Sequence, residues 1–291
     1  MQRLPIIAQP ATASPAESVL RAVLEATSQD VQIERWERKP HQLTETLGEL
    51  VAPDVLGAMI GSPHKERVAS LLGILSDDAR SSGAVNVVVN ADGRLRGHNT
   101  DVDGVLAGLT AILPRPTAKW PRQAVVLGAG GGARAVVASL MQTGFQRISV
   151  FNRHLHRAEA LVAHFNRGAR HTELRALPWH ETIIEAELAK APLLVNASGI
   201  GVEEGESPVP AALLPQELFV LDLVLNHPTT PLMRDASQRG GTVANGQGSF
   251  LVAQAASFQL WTGREAPAEV MRTALAAHLG LPKEGLDVLG D

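Results

Sequence analysis

Residues 124–134 read Ala-Val-Val-Leu-Gly-Ala-Gly-Gly-Gly-Ala-Arg, so a short apolar segment runs directly into a glycine-rich turn. The Ala- and Val-rich residues that follow predict a helix over 133–143. In such a strand–turn–helix unit, the first glycine permits the tight turn, the second lets the backbone approach a pyrophosphate, and the closing alanine allows close packing. The free N–H groups of the helix start favour phosphate. A dinucleotide site is therefore predicted, with a plain structural turn as the alternative, at Gly128, Ala129, Gly130, Gly131, Gly132 and Ala133.

Apolar strand-like segments and helical segments alternate around this turn. The predicted strands are 123–127, 147–151, 192–196 and 218–225, and the predicted helices are 133–143 and 157–165. Strands separated by helices imply right-handed crossovers and a doubly wound parallel sheet. We therefore predict an α/β protein with a Rossmann-type dinucleotide-binding domain over residues 105–240.

The flanking segments predict a second, discontinuous domain. Residues 1–104 mix short strands (4–8 and 84–89) with helices, and Ser14-Pro15 has the form of a helix start. After residue 241 the chain is mostly helical, with helices predicted over 251–261 and 268–279 and a loose tail over 285–291. We expect residues 1–104 to form an N-terminal α/β substrate domain and residues 241–291 to supply C-terminal helices that return to it.

The type of dinucleotide can be argued from the end of the second predicted strand. An NAD enzyme usually places an acidic residue there to bind the ribose 2′-hydroxyl, whereas this chain has Asn152-Arg153-His154. Arg157 follows Arg153 at the i, i+4 spacing, and two guanidinium groups suit a 2′-phosphate. NADP is therefore the predicted cofactor, unless Arg157 is merely a solvated helix residue.

Composition excludes several classes of protein. The chain has 291 residues with a net charge of -4, and its Lys and Arg residues are scattered, so no nucleic-acid surface is visible. It has no cysteine, which excludes disulfides, thiolate zinc sites and cysteine nucleophiles and fits a reducing cytoplasm. Residues 240–263 carry no charge, but polar residues and glycines interrupt them, so we expect a buried segment and no membrane span. The histidines lack a metal-ligand spacing, and no metal is expected.

Two further motifs carry the chemistry. Lys65 closes Ile-Gly-Ser-Pro-His-Lys at residues 60–65, and Asp101 closes Gly-His-Asn-Thr-Asp at residues 97–101. A lysine held by a carboxylate can pass a proton to or from an alcohol oxygen, while a nicotinamide cofactor handles the hydride. This combination predicts an oxidoreductase acting on a small hydroxylated substrate. The structural alternatives are a solvated lysine and an aspartate that caps a helix beginning near Val102.

Ordered motifs over nearly the whole chain resemble the shikimate dehydrogenase family, which includes quinate/shikimate dehydrogenases. The similar segments are 12–15 (Thr-Ala-Ser-Pro), 60–65, 83–86 (Gly-Ala-Val-Asn), 99–101, 152–154, 196–198 (Asn-Ala-Ser), 222–232 and 246–248 followed by Gln254.

The resemblance implies a role for each matching residue. It implies Lys65 and Asp101 as the catalytic residues, and a substrate site formed by Thr12, Ser14, Gly61, Asn86 and Gln254. The predicted cofactor site contains the six residues of the glycine-rich turn. It also contains Asn152, Arg153, His154, Arg157, Ser198, Leu223 and Gly246. Three of these substrate residues also have a structural alternative: Asn86 can satisfy a strand end, and Thr12 and Ser14 can serve as helix caps.

Departures from the family pattern cluster around the substrate. Ala11 replaces a histidine, Gly61 and Val87 replace threonines, and Leu225 replaces a tyrosine in a chain without any tyrosine. The glycine-rich segment also has one more residue before Gln254. These changes remove hydroxyl donors, and a buried polar group that loses its partner costs about 1–3 kcal/mol.

The resemblance implies reversible, NADP-dependent reduction of 3-dehydroshikimate to shikimate, a step of aromatic amino acid biosynthesis (the chorismate pathway). Two alternatives stay open: a dehydrogenase of a related substrate such as quinate or an amino-shikimate analogue, and a catalytically weak cofactor- or ligand-binding relative. The expected partner is a shikimate-like cyclic hydroxy acid, with no nucleic acid and no membrane, and the expected protein is a cytoplasmic monomer or homodimer.

Overall fold

A computed structural model describes residues 1–114, 121–168 and 171–281. They form two compact units. The first unit is Met1–Asp103 with the described residues from Leu251 onward, and the second is Gly104–Phe250. The sequence analysis placed these limits after residues 104 and 240. The later limit differs because residues 242–245 form a strand that pairs with the sheet of the second unit.

The first unit is built on a mixed six-stranded sheet. Its strands are β1 (Gln2–Ala8), β2 (Val31–Glu37), β3 (Gly57–Ile60), β4 (Ile74–Leu75), β5 (Val87–Ala91) and β6 (Arg94–His98), in the order β2-β1-β3-β5-β6-β4. Strand β5 runs antiparallel to β3 and β6, and the other pairs are parallel. The helices are α1 (Pro15–Ala26), α2 (Leu43–Glu49), α3 (Lys65–Leu71), α4 (Asp77–Ser82) and the beginning of α5 (Asp101–Ile112).

Local signals explain two features of this unit. Helix α1 begins as expected, because the Ser14 side chain accepts a hydrogen bond of 3.2 Å from the Glu17 N–H and Pro15 occupies the first turn. A tight turn joins β5 to β6, and in it Asp92 and Gly93 have φ of 51° and 81°.

The strand predicted over residues 84–89 is wrong at its start, because β5 begins only at Val87. Gly83 ends α4 in the left-handed conformation, and the chain then turns toward α3. There the Val85 N–H bonds the Lys65 carbonyl at 2.9 Å, and the Asn86 N–H bonds the His98 carbonyl at 3.1 Å. Asn86 therefore lies ahead of the strand, beside the beginnings of α3 and α5.

The second unit is a doubly wound parallel sheet, as predicted. Its strands are β7 (Gln123–Leu127), β8 (Arg147–Asn152), β9 (Glu173–Pro178), β10 (Leu193–Asn196), β11 (Phe219–Asp222) and β12 (Thr242–Asn245), in the order β12-β11-β10-β7-β8-β9. Its helices are α6 (Gly131–Gln142), α7 (Leu155–Asn166), α8 (Glu181–Leu188) and α9 (Pro231–Gln238). The strand order reverses between β7 and β10, which is where ligands bind in such sheets.

Two limits in the second unit differ from the sequence prediction by more than two residues. Strand β11 ends at Asp222 rather than at residue 225, because the Asp222 carboxylate accepts the Val224 N–H at 3.2 Å and turns the chain. Helix α10 (Gly246–Thr262) begins five residues earlier than predicted. The Asn245 side chain accepts the Gln247 N–H at 3.0 Å, which favours a helix start despite the glycines.

The last helix among the described residues is α11 (Ala268–Leu279) of the first unit, and its limits are those predicted. The tail predicted over residues 285–291 lies outside the described residues. In the part of the chain that the structure describes, no helix combines the length and apolarity needed to cross a membrane.

Candidate active site

Lys65 and Asp101 meet in the first unit although 36 residues separate them in the sequence. The Lys65 Nζ lies 2.5 Å from the Asp101 Oδ2, and the two side chains are 21% and 22% exposed. Lys65 begins α3 and Asp101 begins α5, so both helix starts point these groups at one place. The helix begins at Asp101 itself, so Asp101 lies in the first turn rather than ahead of the helix as a cap would. The pair is shielded enough to be oriented and open enough to be reached.

The segment before Lys65 is held against strand β1. The Gly61 N–H bonds the Ile7 carbonyl at 2.8 Å, and the Gln9 N–H bonds the Ser62 carbonyl at 3.1 Å. A Cβ at Gly61 would lie 2.9 Å from the Ala8 Cβ. Glycine is therefore required at position 61 by a close approach of two segments, and that position offers no side-chain hydroxyl.

His64 is the fully buried neighbour of Lys65. Within the described residues neither of its ring nitrogens has a hydrogen-bond partner. Burial lowers the pKa of His64, and the nearby backbone of Arg38 and Ala8 opposes this only in part. The ring is therefore neutral at neutral pH and packs the lysine segment without adding charge to it.

We expect His64 to make the folded protein sensitive to mild acid. The unfolded chain protonates this histidine near its ordinary value of 6.5, whereas the folded chain resists protonation. The free energy of unfolding should therefore fall as the pH falls below 6.5. In denaturant titrations, the free energy of unfolding of a His64→Leu variant should fall less over that pH range than that of the wild type. His41→Leu, at an exposed position, should show the same fall as the wild type. If the free energy of unfolding changed equally with pH in all three proteins, His64 would not be the source of the acid sensitivity.

Asn86 joins the pair from a third side. Its Nδ2 donates to the Asp101 Oδ1 at 2.9 Å and to the Thr100 Oγ1 at 2.8 Å, and its Oδ1 accepts the Thr100 N–H at 2.9 Å. Asn99 fixes the same turn, because its Oδ1 accepts the Asp101 N–H at 3.1 Å. Both amide hydrogens of Asn86 are thus committed to protein groups, which makes it a support for Asp101 rather than a mere strand end.

The other predicted substrate residues have no direct contact with the Lys65–Asp101 pair among the described contacts. Thr12 is exposed, and Ser14 is half-buried and caps α1. Gln254 is half-buried on α10, and among the described residues it forms no hydrogen bond with Lys65 or Asp101. The residue of α10 that reaches this region is Ser257, whose Oγ lies 2.9 Å from the Thr100 Oγ1. The sequence analysis did not identify Ser257, because a single serine in an apolar helix gives no distinguishing signal.

The glycine-rich turn fits the phosphates of a dinucleotide. Gly128 has φ of 111°, and a Cβ there would lie 2.4 Å from the Ala197 carbonyl oxygen, so only glycine permits this turn. Positions for a Cβ on Gly130 and Gly132 have nothing within 4 Å, so the start of α6 faces open space. Gly130 is the N-cap and offers no side chain to the first N–H groups, which leaves them for a ligand. Ala133 is fully buried, as close packing requires.

The expected geometry at the end of β8 needs one correction. Arg153 and Arg157 do not share a helical face, because α7 begins only at Leu155 and Arg153 lies in the preceding turn. The Asn152 side chain donates to the His154 carbonyl at 2.9 Å and shapes that turn. The ring centroids of His154 and His156 lie 5.9 Å apart beside this turn. Both guanidinium groups are exposed, and no carboxylate among the described residues pairs with them.

Ser198, Leu223 and Gly246 lie where β10, β11 and β12 end. The Ser198 Oγ donates to the Asn196 Oδ1 at 2.6 Å, and the Leu223 N–H bonds the Asn196 carbonyl at 2.9 Å. Asp222 is fully buried between these loops and accepts from Asn196 at 2.8 Å and from Thr230 at 2.7 Å. Burial raises the pKa of Asp222, and these donors counter that effect. A Cβ at Gly246 would lie 2.6 Å from the Leu223 backbone, so glycine is needed here too.

The two units carry complementary chemistry. The second has a glycine-rich turn at the reversal point of a doubly wound sheet, and the first has a lysine paired with a carboxylate. No group of three or more potential metal ligands occurs among the described residues. The glycine-rich turn and the lysine–carboxylate pair are the features of a dinucleotide-dependent oxidoreductase.

Comparisons with known proteins identify the family. Three sequence profiles match: the shikimate dehydrogenase substrate binding domain at residues 6–88, shikimate / quinate 5-dehydrogenase at 117–203, and the shikimate 5'-dehydrogenase C-terminal domain at 250–276. The chain is 35% identical to the shikimate dehydrogenase (NADP(+)) of Symbiobacterium thermophilum over 96% of this chain and 95% of that protein. The chain belongs to the shikimate dehydrogenase family, so the predicted resemblance and enzyme class are confirmed.

Two solved structures illustrate the range of the family fold. The shikimate 5-dehydrogenase of Thermus thermophilus in complex with NADP(H) and shikimate has a TM-score of 0.77 and 33% identity, covering 95% of this chain and 99% of that one. The quinate dehydrogenase of Corynebacterium glutamicum in complex with NAD has a TM-score of 0.82 and 27% identity, covering 95% and 99%. The same fold thus serves more than one substrate and more than one cofactor.

Proposed function

We propose that this protein catalyses the reversible, NADP-dependent conversion of 3-dehydroshikimate to shikimate. The observation that carries the proposal is the contact of 2.5 Å between Lys65 and Asp101 in a chain of this family. The first unit would bind the substrate, and the second would bind the cofactor. We further propose a cytoplasmic monomer or homodimer, on composition and family resemblance alone.

Lys65 would move the proton. In the reducing direction its ammonium group gives a proton to the oxygen of the forming alcohol, and in the oxidising direction the neutral amine takes that proton back. Asp101 orients the ammonium through its Oδ2, and Asn86 orients Asp101 through its Oδ1. Both carboxylate oxygens keep lone pairs that can accept a substrate hydroxyl. Thr12, Ser14 and Gln254 are proposed to hold the rest of the substrate.

The cofactor would be held by backbone and charge. The start of α6 and the turn from Gly128 to Gly132 offer N–H groups to the pyrophosphate, and Arg153 and Arg157 offer two charges to a 2′-phosphate. Asn152, His154, Ser198, Leu223 and Gly246 are proposed to line the same site. When bound, NADP supplies the hydride chemistry.

A second candidate function has its own support. Gly61 is fixed as glycine by Ala8, and Leu225 stands where the family pattern has a tyrosine, so two positions lack hydroxyl donors. A quinate- or amino-shikimate-type substrate is therefore the alternative. Steady-state rates with NADP and a panel of shikimate, quinate and amino-substituted analogues distinguish them. The proposal expects the highest kcat/KM with shikimate, and a clear preference for another member would replace it. A protein that binds NADP but oxidises none of them would be the catalytically weak relative.

A further inference from the structure

We propose that Ser257 of α10 is a positioning residue for the Lys65–Asp101 pair. It acts through Thr100 and Asn86, which form a chain of hydrogen bonds from α10 to the Asp101 carboxylate. Ser257 is not a catalytic residue, because it touches neither member of the pair in this chain of contacts. The inference rests on the proposed function and adds a residue to its machinery.

The direction of each hydrogen bond in this chain is fixed. The Asn86 Oδ1 accepts the Thr100 N–H, so the Asn86 Nδ2 must face the Thr100 Oγ1 and the Asp101 Oδ1. The Ser257 hydroxyl donates its hydrogen to the Ala253 carbonyl at 2.7 Å. In the contact of 2.9 Å between the two hydroxyl groups, Thr100 is therefore the donor and the Ser257 Oγ the acceptor. One arrangement of hydrogens satisfies every group, and removing Ser257 leaves the Thr100 hydroxyl without its acceptor.

Burial makes this loss hard to repair. Ser257, Thr100 and Asn86 are 1%, 2% and 5% exposed, so bulk water does not reach the hydroxyl that loses its partner. A buried hydroxyl without an acceptor costs free energy, so we expect the Thr100 hydroxyl to reorient. Because this hydroxyl also accepts from the Asn86 amide, its reorientation weakens that hydrogen bond. Asn86 then holds Asp101 less firmly, and Asp101 orients Lys65 less well.

A purely local role for Ser257 can be tested on the same helix. Serine and threonine in helices commonly donate to the carbonyl four residues before them, and such a bond alone implies no functional link. Thr262 makes this bond to the Phe258 carbonyl at 2.8 Å and has no contact with Thr100 among those described. Thr262→Val is therefore the matched control for Ser257→Ala.

The first test is a split between turnover and binding. Ser257→Ala should lower kcat about tenfold, the effect of one buried hydrogen bond. The NADP dissociation constant should not change, and Thr262→Val should keep the wild-type kcat. Thr100→Val should lower kcat at least as much as Ser257→Ala does. Adding Ser257→Ala to Thr100→Val should change kcat by less than about twofold, because both substitutions interrupt the same chain of hydrogen bonds. A Ser257→Ala protein with wild-type kcat, or a double variant in which the losses multiply, would overturn the inference.

The second test needs no substrate. Amide hydrogen exchange at Thr100, whose N–H bonds the Asn86 Oδ1, should become about tenfold faster in Ser257→Ala and stay unchanged in Thr262→Val. If the wild type did not oxidise shikimate, the proposed function would fail, and the exchange rate alone would still decide whether Ser257 holds this segment. Unchanged exchange at Thr100 would overturn the inference whatever the activity.

Discussion

Lys65→Ala should lower kcat by about 10³-fold, because general acid–base catalysis by one positioned group contributes on the order of 10²–10⁴. Without the amine, the alcohol oxygen has no protein group to exchange its proton with, and water must do so from a less favourable position. The NADP dissociation constant should not change, since the proposed cofactor residues lie in the second unit. Steady-state oxidation of shikimate together with fluorescence titration of NADPH measures both quantities.

The control for this variant is Lys39→Ala, which removes an exposed lysine outside the site. It should keep the wild-type kcat and stability. Thermal unfolding of both variants shows whether any loss comes from folding. If Lys65→Ala kept most of the wild-type rate, or lost NADPH binding together with turnover, the proton-transfer role of Lys65 would be wrong.

The double variant Arg153→Ala/Arg157→Ala should weaken NADP binding by roughly 100-fold, because a 2′-phosphate loses both charged donors proposed for it. NAD carries a hydroxyl at that place and should bind nearly as before. Separate titrations with the two cofactors measure the ratio of their dissociation constants, which should fall by the same roughly 100-fold factor.

Arg167→Ala is the matched control, since Arg167 lies at the other end of the same helix α7. It changes the net charge by one without touching the β8–α7 turn, and it should leave the preference for NADP intact. Equal losses of NAD and NADP binding in the double variant would show that the two arginines support the fold of the turn rather than the 2′-phosphate. The cofactor assignment to these two residues would then fail.

The features that the sequence predicted well depend on local chemistry. The turn at residues 128–133 needs glycine for its backbone angle and for the close approach of the Ala197 backbone. Its sequence pattern therefore predicts the turn without reference to any other part of the chain. The predicted limits of helix α11 agree with the structure at both ends, because Pro267 precedes its first residue and Gly280 follows its last. The Lys65 and Asp101 motifs were recognisable as motifs, and the structure shows that they meet.

What could not be predicted depends on residues distant in the sequence. Gly61 has no role visible in its own segment, and its requirement arises from the approach of Ala8 on β1. Asn86 lies ahead of β5 because carbonyls at Lys65 and His98 hold it there. Strands β9 and β12 were missed because each lies at an edge of the sheet and is defined by pairing with a single neighbour. Each of these features is set by a tertiary contact that no pattern in the sequence expresses.

Lys65 and Asp101 are proposed to act as one unit in proton transfer. A double-mutant cycle on kcat for shikimate oxidation, with Lys65→Met, Asp101→Asn and the combined variant, is the sharpest test of this coupling. Adding Asp101→Asn to Lys65→Met should lower kcat by less than about threefold, because the carboxylate has then lost the amine that it orients. If the two losses in kcat multiply in the combined variant, the two residues act independently and do not form one proton-transfer unit.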